Sequence, residues 1–149
     1  MNSAPNIQVL PFSDTPEAFE RYARDFFSPN EQYRGYDKLI DLANSYNLHE
    51  YDLYEARCDE VLAGVAAIRL HDNTLYFDIF AVDEAFRTVG VGDILFSEII
   101  AQEKYAGATA YESMALPGDR STKNFFEQRQ GKARLLIVSG PLGSVEPEG

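Results

Sequence analysis

Cysteine and histidine are scarce in this chain, and tryptophan is absent. The single cysteine, Cys58, can close no internal disulfide, and the N-terminal residues lack the charged-then-apolar pattern of a secretion leader. We therefore expect a protein of the reducing cytoplasm. The two histidines, His49 and His71, have no cysteine or second ligand at metal spacing, so we predict no metal site.

Long apolar runs and clusters of positive charge are also missing. The longest apolar run covers residues 61–68, far short of the roughly 20 residues that a membrane-spanning helix needs. Thirteen Lys and Arg against 24 Asp and Glu give a net charge of −11, which repels polyanions at long range. Neither a membrane nor a nucleic acid is therefore an expected partner.

Apolar residues, by contrast, are plentiful. They make up 45% of the 149 residues and include ten Phe and nine Tyr, a composition typical of a folded domain. The length suits one domain with its own core. We predict a single domain over residues 1–140 and a flexible tail over 141–149, where glycine, proline and acidic residues dominate.

Two short helices are predicted after a first apolar stretch at residues 7–10. Residues 14–17 offer an N-cap, a proline suited to the first helical position and an acid for the first turn. Apolar residues then recur at the spacing of one buried helix face, at Phe19, Tyr22, Ala23 and Phe26. The same spacing over residues 36–43 predicts a second helix.

The middle of the chain is predicted to form an antiparallel meander. Residues 51–57, 61–70 and 74–82 have strand patterns, and short polar turns at 59–60 and 72–73 separate them. Residues 61–68 are apolar on both faces, so we expect a central strand covered on both sides by helices.

The sequence pattern in the second half of the chain predicts a β-α-β crossover. A helix that begins near Gly92, a strand over residues 110–116, a short helix over 121–128 and a last strand over 133–139 follow in order. A strand, a helix and a following strand imply a locally parallel pair. The predicted fold class is α+β, with a mixed, largely antiparallel sheet, one parallel β-α-β crossover and helices on both faces.

The loop before the third long helix carries the chemistry. Its residues are Arg87, Thr88, Val89, Gly90, Val91 and Gly92, with Asp93 next in the helix. Glycines let a ligand approach the main chain, and amides at a helix N-terminus bind anions, so the loop and its arginine suit a diphosphate. A dinucleotide-binding loop would need a third glycine where Leu95 stands, and a triphosphate loop would need Gly-Lys-Ser/Thr, which is absent.

The loop resembles that of the GNAT superfamily of acyl-CoA N-acyltransferases. In that family it has Arg or Gln, two residues, Gly, one residue, and Gly or Ala, and the stretch from Arg87 to Gly92 matches it completely. The resemblance covers about residues 61–138. It implies a sheet that opens between the strands ending at residue 82 and starting at residue 110, with the pantetheine arm of acetyl-CoA in the gap.

The resemblance also implies roles for individual residues. Phe80, Ala81 and Val82 would line the pantetheine arm and hold the thioester, and residues 87–93 would hold the diphosphate. Asp119 stands where relatives often have an asparagine that contacts the pantetheine. Phe126 stands where relatives commonly have the tyrosine that protonates the departing thiolate.

Three side chains are candidates for moving protons. By strand alternation, Tyr76 and Asp78 would share a face with Phe80 and Val82, and desolvation would raise the pKa of Asp78 as a general base requires. The alternative for Asp78 is an acid at a strand edge or paired with Lys or Arg. Tyr111 is a candidate donor in place of the tyrosine that Phe126 replaces.

The sequence therefore predicts an N-acyltransferase that moves an acetyl group from acetyl-CoA to a primary amine of a small molecule or peptide, by direct attack on the thioester. The alternative is a non-catalytic acyl-CoA sensor or interaction module, because Phe126 removes the usual proton donor. The region after Phe126 is short, so a closing strand supplied by a partner chain, and hence a homodimer, is a further alternative.

Overall fold

The structure, a computed structural model, describes residues 4–116, 119–133, 138 and 140–142. The strands in the described residues are β1 (Ile7–Pro11), β2 (Asp52–Cys58), β3 (Val61–His71), β4 (Thr74–Val82) and β5 (Ala110–Glu112). The α-helices are α1 (Pro16–Phe27), α2 (Tyr36–Ser45), α3 (Val91–Ile100) and α4 (Arg120–Glu127).

The strands form one mixed sheet in the order β1-β2-β3-β4-β5. The first four are antiparallel neighbours, and β5 pairs parallel to β4 after the α3 crossover. Two-residue turns join β2 to β3 and β3 to β4. Their four central residues, Asp59, Glu60, Asp72 and Asn73, all have φ between 49° and 72°, the left-handed conformation that such tight hairpins require. The predicted α+β fold and meander are confirmed.

Each face of the sheet carries its own core. On one face α3 packs over a cluster that includes Ala66, Ile68, Phe77, Leu95 and Ile99. On the other face α1 and α2 cover a cluster that includes Phe19, Ala23, Val65, Ala67 and Ile79. Strand β3 lies in the middle of the sheet with residues 63–68 buried, as its apolar sequence predicts.

The N-terminus of α1 follows the predicted pattern. Thr15 is the N-cap, its side chain accepts a hydrogen bond of 3.1 Å from the Ala18 amide, and Pro16 occupies the first turn. Phe19 and Ala23 are buried as predicted, but Tyr22 is partly exposed at the edge of the core under α1, where its ring contacts Phe12. The prediction that Tyr22 belongs to the buried face is therefore wrong.

A β-bulge interrupts β4. Ala67 of β3 pairs with Ile79 and the next residue, Ile68, pairs with Phe77, so Asp78 is the extra residue. The bulge reverses the alternation, and Phe80 then lies on the α3 face together with Phe77. Tyr76 and Asp78 contact Arg69 instead. The prediction that Tyr76 and Asp78 share a face with Phe80 and Val82 is therefore wrong.

Strand β5 is shorter than predicted. Main-chain pairing with β4 covers only Thr74–Tyr76 against Ala110–Glu112, and the Ser113 hydroxyl then donates to the Phe77 carbonyl at 3.1 Å. Beyond that point the two strands separate, and residues 114–116 line a cleft instead of extending the strand.

The predicted last strand over 133–139 lies mostly outside the described residues, as does most of the predicted tail. The domain bounds and the homodimer that would complete the sheet stay predictions. In the described part of the chain, no helix has the length and apolar character needed to cross a membrane.

Candidate active site

A cleft of about 350 Å³ lies where β4 and β5 separate. Phe80, Ala81 and Val82 form its β4 side. Helix α4 contributes Phe125 and Phe126 on the α3 face, and α1 and α2 contribute Phe26, Phe27 and Leu39 on the opposite face. The cleft therefore runs through the sheet from one helix layer to the other.

The α3 end of the cleft is formed by the N-terminus of that helix. Residues Glu84–Val89 form a 3-10 helix, Gly90 has φ of 90°, and α3 makes its first hydrogen bond from the Ile94 amide to the Gly90 carbonyl. The amides of Val91, Gly92 and Asp93 precede that bond, and Gly90 provides no side-chain cap. Such amides, with the positive end of the helix dipole, attract an anion.

Gly92 and Arg87 both line the cleft at this end. A Cβ atom built on Gly92 would lie 3.4 Å from the Phe125 ring and 3.7 Å from Val82. A side chain at position 92 would therefore project between the α4 ring and the β4 residue and narrow the cleft. Gly92 keeps this passage open next to the arginine.

Arg129 ties the end of α4 to the start of α3. Its guanidinium forms an ion pair with Asp93, donates to the Phe125 carbonyl at 2.8 Å and lies 3.7 Å from the centre of the Phe125 ring. The pair fixes the position of α4 beside the loop. The carboxylate of Asp93, which also lines the cleft, is occupied by this contact.

Aromatic rings form the wall between the two ends. In the wall, Phe80 contacts Phe125 at 5.5 Å and Phe126 at 6.1 Å. Behind them, in the core, Phe77 stacks on Phe96 with ring centres 4.8 Å apart. These rings restrict one another because each packs edge-on or stacked against several neighbours. The apolar wall suits the thin, uncharged arm of a cofactor.

Asp119 and Asn30 join the two sides of the cleft. Asp119, only 4% exposed, caps α4 by accepting from the Thr122 amide at 3.1 Å and from its hydroxyl at 2.6 Å. The Asn30 side chain, from the segment after α1, donates to the same carboxylate at 3.3 Å. The start of α2 also lies close to this part of the cleft, since a Cβ built on Gly35 would be 3.5 Å from the Leu116 side chain. The carboxylate of Asp119 therefore accepts three hydrogen bonds, of which the one from Asn30 links the two sides of the cleft.

Asp78 belongs to a polar cluster on the α1–α2 face. Its Oδ2 accepts from the Arg69 Nε at 2.6 Å and from the Tyr51 hydroxyl at 2.7 Å. Arg69 also stacks over the Tyr76 ring at 4.0 Å. Burial, together with the bond to Asp78, raises the pKa of Tyr51 above its usual range. The pairing of Asp78 with an arginine is the alternative that the sequence left open.

The cluster lies behind the cleft wall. The Tyr51 ring contacts the Tyr46 ring at 5.6 Å, and the Tyr46 hydroxyl contacts the sulfur of Met114, a cleft residue, at 4.0 Å. Asp78 and Tyr76 do not line the cleft themselves. A proton from the cleft would therefore have to be relayed to Asp78, for example by Tyr51 or a water.

Tyr111 points to the end of α4. Its hydroxyl lies 3.1 Å from the carbonyls of Phe126 and Arg129. Burial raises the pKa of Tyr111, and Arg129 opposes that rise in part. Its hydroxyl is thus directed at main-chain oxygens, whereas the neighbouring Phe126 ring lines the cleft.

The structure brings most of the predicted cofactor residues to one cleft. Its walls include Phe80, Ala81, Val82, Arg87, Gly92, Asp93, Asp119 and Phe126. Thr88, Val89, Gly90 and Val91 do not contribute to the walls; Val91 is buried in the core, and Val89 is partly exposed. Their contribution to binding an anion would come from their main chain.

Sequence reasoning missed the far wall of the cleft. These residues come from segments more than 30 residues before β4, and no local pattern marks them as cleft residues: Phe26, Phe27, Asn30 and Leu39. The sequence has one signal for the bulge, because Asp78 is a charged residue inside an apolar strand.

Within the described ranges, no group of three or more His, Cys, Asp or Glu side chains could hold a metal ion.

Comparison with known proteins agrees with this geometry. The sequence model described as acetyltransferase (GNAT) domain matches residues 14–124. A search of curated protein sequences gives no match.

Three solved structures illustrate the similarity in fold. A Pyrococcus furiosus protein described as an acetyl transferase superposes with a TM-score of 0.66 at 18% identity, over 92% of this chain and 100% of that one. An aminoglycoside acetyltransferase from an uncultured soil metagenomic sample, in complex with sisomicin, gives 0.58 at 16% identity, over 95% and 97%. Ribosomal-protein-alanine N-acetyltransferase from Brucella melitensis gives 0.56 at 17% identity, over 94% and 100%.

Proposed function

The chain belongs to the GNAT acetyltransferase family, and from this premise we propose that it transfers the acetyl group of acetyl-CoA to a primary amine by direct attack on the thioester. The observation that carries the proposal is the cleft. It begins at the helix N-terminus beside Arg87, passes between β4 and β5, and opens under α1 and α2. A diphosphate held at one end would direct a thioester toward the other.

The residues present fit the cofactor. The amides of residues 91–93 and the guanidinium of Arg87 suit two phosphates, and the space beside Gly92 is one that a side chain would fill. The aromatic wall suits the pantetheine arm. When bound, acetyl-CoA supplies the activated acyl group, and the protein contributes binding, orientation and exclusion of water.

Asp78 is the proposed acceptor of the amine's proton, through Tyr51 or a water. Its carboxylate accepts a hydrogen bond from Tyr51. The Tyr51 ring packs against Tyr46, whose hydroxyl contacts Met114 in the cleft wall. Tyr76 supports Arg69 by stacking, which makes it a positioning residue in this proposal. Tyr111 stays the proposed donor to the departing thiolate, although its hydroxyl would first have to leave the α4 carbonyls.

The proposal also covers the cellular location and the partners of the protein. We place the protein in the cytoplasm, with a small-molecule or peptide amine as acceptor and without a nucleic acid partner, since the net charge is −11. A homodimer completed by a partner's strand stays part of the hypothesis, to be checked by light scattering at micromolar concentration.

A substitution at Gly92 tests the loop. Gly92→Val should weaken acetyl-CoA binding at least tenfold in calorimetry, because the added side chain enters the passage beside Phe125. Gly92 is preferable to Gly90, where φ of 90° would strain any side chain and confuse folding with binding. The matched control is Gly107→Val, since a Cβ there meets no atom within 4 Å.

Two outcomes would count against the proposal. Undiminished affinity of a folded Gly92→Val protein would place the cofactor elsewhere. Tight binding of acetyl-CoA without thiol release on any amine would favour the acyl-CoA sensor, as expected if Phe126 leaves the site without a donor.

A further inference from the structure

The cleft changes character along its length. Its α3 end holds an arginine and free helix amides, whereas the walls under α1 and α2 consist largely of apolar side chains. These are Phe26, Phe27, Leu39, Met114 and Leu116. Because the diphosphate would occupy the α3 end, the apolar end is where the acceptor amine would meet the thioester.

The described walls of the cleft contain two carboxylates, and both already have partners within the protein. Asp93 is paired with Arg129. Asp119 accepts from Thr122 and Asn30 and is 4% exposed. A site for a polycation needs several carboxylates free to face it, because each buried ammonium must be paired or hydrogen-bonded.

Asp78, which is near the cleft, does not provide a free carboxylate for a polycation either. It lies behind the wall and is already paired with Arg69, so the local charge of that pair is zero. The net charge of −11 attracts any amine at long range, but it does not select between a monoamine and a polyamine at the wall. Selection at the wall therefore depends on contact with apolar surface.

We propose that the acceptor is a monoamine whose amino group is carried on an apolar chain or ring, and that the Phe26, Phe27 and Leu39 side of the cleft binds that apolar group. This inference rests on the proposed function, because the orientation of acetyl-CoA defines which end receives the acceptor. It differs from the polycationic ligand found with one of the similar structures, the sisomicin complex.

A ladder of n-alkylamines tests the inference. The basicity of the amino group is nearly constant along this series, so differences report burial of the chain. Each added methylene should raise kcat/KM about two- to fourfold until the cleft is filled. Spermidine and sisomicin should fall at least about tenfold below the best alkylamine. If turnover is too slow to follow, calorimetry of the same amines with the CoA-loaded protein should give the same ladder in affinity.

A charged variant sharpens the result. Leu39→Glu places a carboxylate on the apolar side and should reverse the preference, lowering kcat/KM for hexylamine and raising it for spermidine. Leu70→Glu is the matched control, since Leu70 is 41% exposed and lies outside the cleft walls. It should leave the alkylamine ladder unchanged.

The outcomes separate this inference from the proposed function. A flat ladder, or a preference for spermidine or sisomicin in a protein that binds acetyl-CoA, overturns the apolar acceptor and leaves the transferase intact. Failure to bind acetyl-CoA at all overturns the proposed function, and the inference falls with it.

Discussion

Asp78 is the extra residue of a β-bulge and the centre of a small charged cluster. Its carboxylate accepts from Arg69 and Tyr51, with its side chain 12% exposed. The bulge puts this residue on the α1–α2 face and sends Phe80 to the cleft. One inserted residue thus separates the proposed proton acceptor from the cofactor wall while keeping both on the same strand.

Replacing Asp78 by Asn should lower kcat about 10²- to 10⁴-fold, because the amide cannot take the amine's proton. Parallel urea denaturation separates this effect from the stability lost at the Arg69 pair.

Asp72→Asn is the control for this variant, since Asp72 lies exposed in the β3–β4 turn and Asn readily adopts its left-handed conformation. An Asp78→Asn protein that is folded and keeps the kcat of the parent would remove Asp78 from the mechanism and leave it as a structural partner of Arg69.

At the scale of an element, α4 is held at both ends. Asp119 caps its start, and at its end Gln130 adopts φ of 63° while the Gly131 amide donates to the Phe126 carbonyl at 2.8 Å. The end of the helix folds tightly enough that the Tyr111 hydroxyl fits beside it. This closure fixes where Phe125 and Phe126 enter the cleft.

Gly131→Ala should destabilise the protein by about 1–3 kcal/mol. A Cβ at this position would lie 2.7 Å from both the Phe126 carbonyl oxygen and the Tyr111 hydroxyl, and the former belongs to the main chain and cannot simply turn away. Urea denaturation measures the loss.

Gly107→Ala provides the comparison, because its added methyl group meets open space and should change stability by less than about 0.5 kcal/mol. Equal effects of the two substitutions would mean that α4 does not close on Gly131 as described.

Across the whole molecule, buried tyrosines join elements that are distant in sequence. Tyr105, 3% exposed, donates to Asp52 at 2.6 Å and lies 2.7 Å from the Tyr54 hydroxyl, so it connects the segment after α3 to β2. Burial, followed by the bonds to Asp52 and Tyr54, raises the pKa of Tyr105 above its usual value of 10.0. In the folded protein, the Tyr105 hydroxyl therefore keeps its proton at pH values at which it would lose it in the unfolded chain.

The free energy of unfolding should therefore fall as the pH rises above about 10. Below that pH, Tyr105 is protonated in both states and its contribution is complete; above it, only the unfolded chain ionises, so unfolding is favoured. Tyr105→Phe should remove up to about 1.4 kcal/mol per pH unit from the slope of stability against pH in this alkaline range.

Denaturation at pH 8 to 11 measures this slope, with Tyr22→Phe at an exposed position as control. A slope that is the same in Tyr105→Phe and in the parent protein would show that Tyr105 does not couple folding to alkaline pH.

The sequence by itself determined the features that depend on neighbouring residues. Thr15 and Pro16 start α1, the Asp and Asn residues of the two hairpins accept left-handed backbone, and the glycines at 90 and 92 open α3. These features follow from local sterics and hydrogen bonding, which are read along a few consecutive residues. Together with the apolar periodicity they predict the α+β fold and the α3 end of the cleft.

Only the tertiary structure decided which distant residues meet. The bulge at Asp78 depends on how β3 and β4 align, and Tyr22 packs beside Phe12 instead of in the core. The carboxylate of Asp119 is occupied because Asn30 approaches from another segment. The apolar acceptor wall likewise combines α1, α2 and the segment after β5. Such contacts are set by packing energies summed over the whole core, which no short stretch of sequence contains.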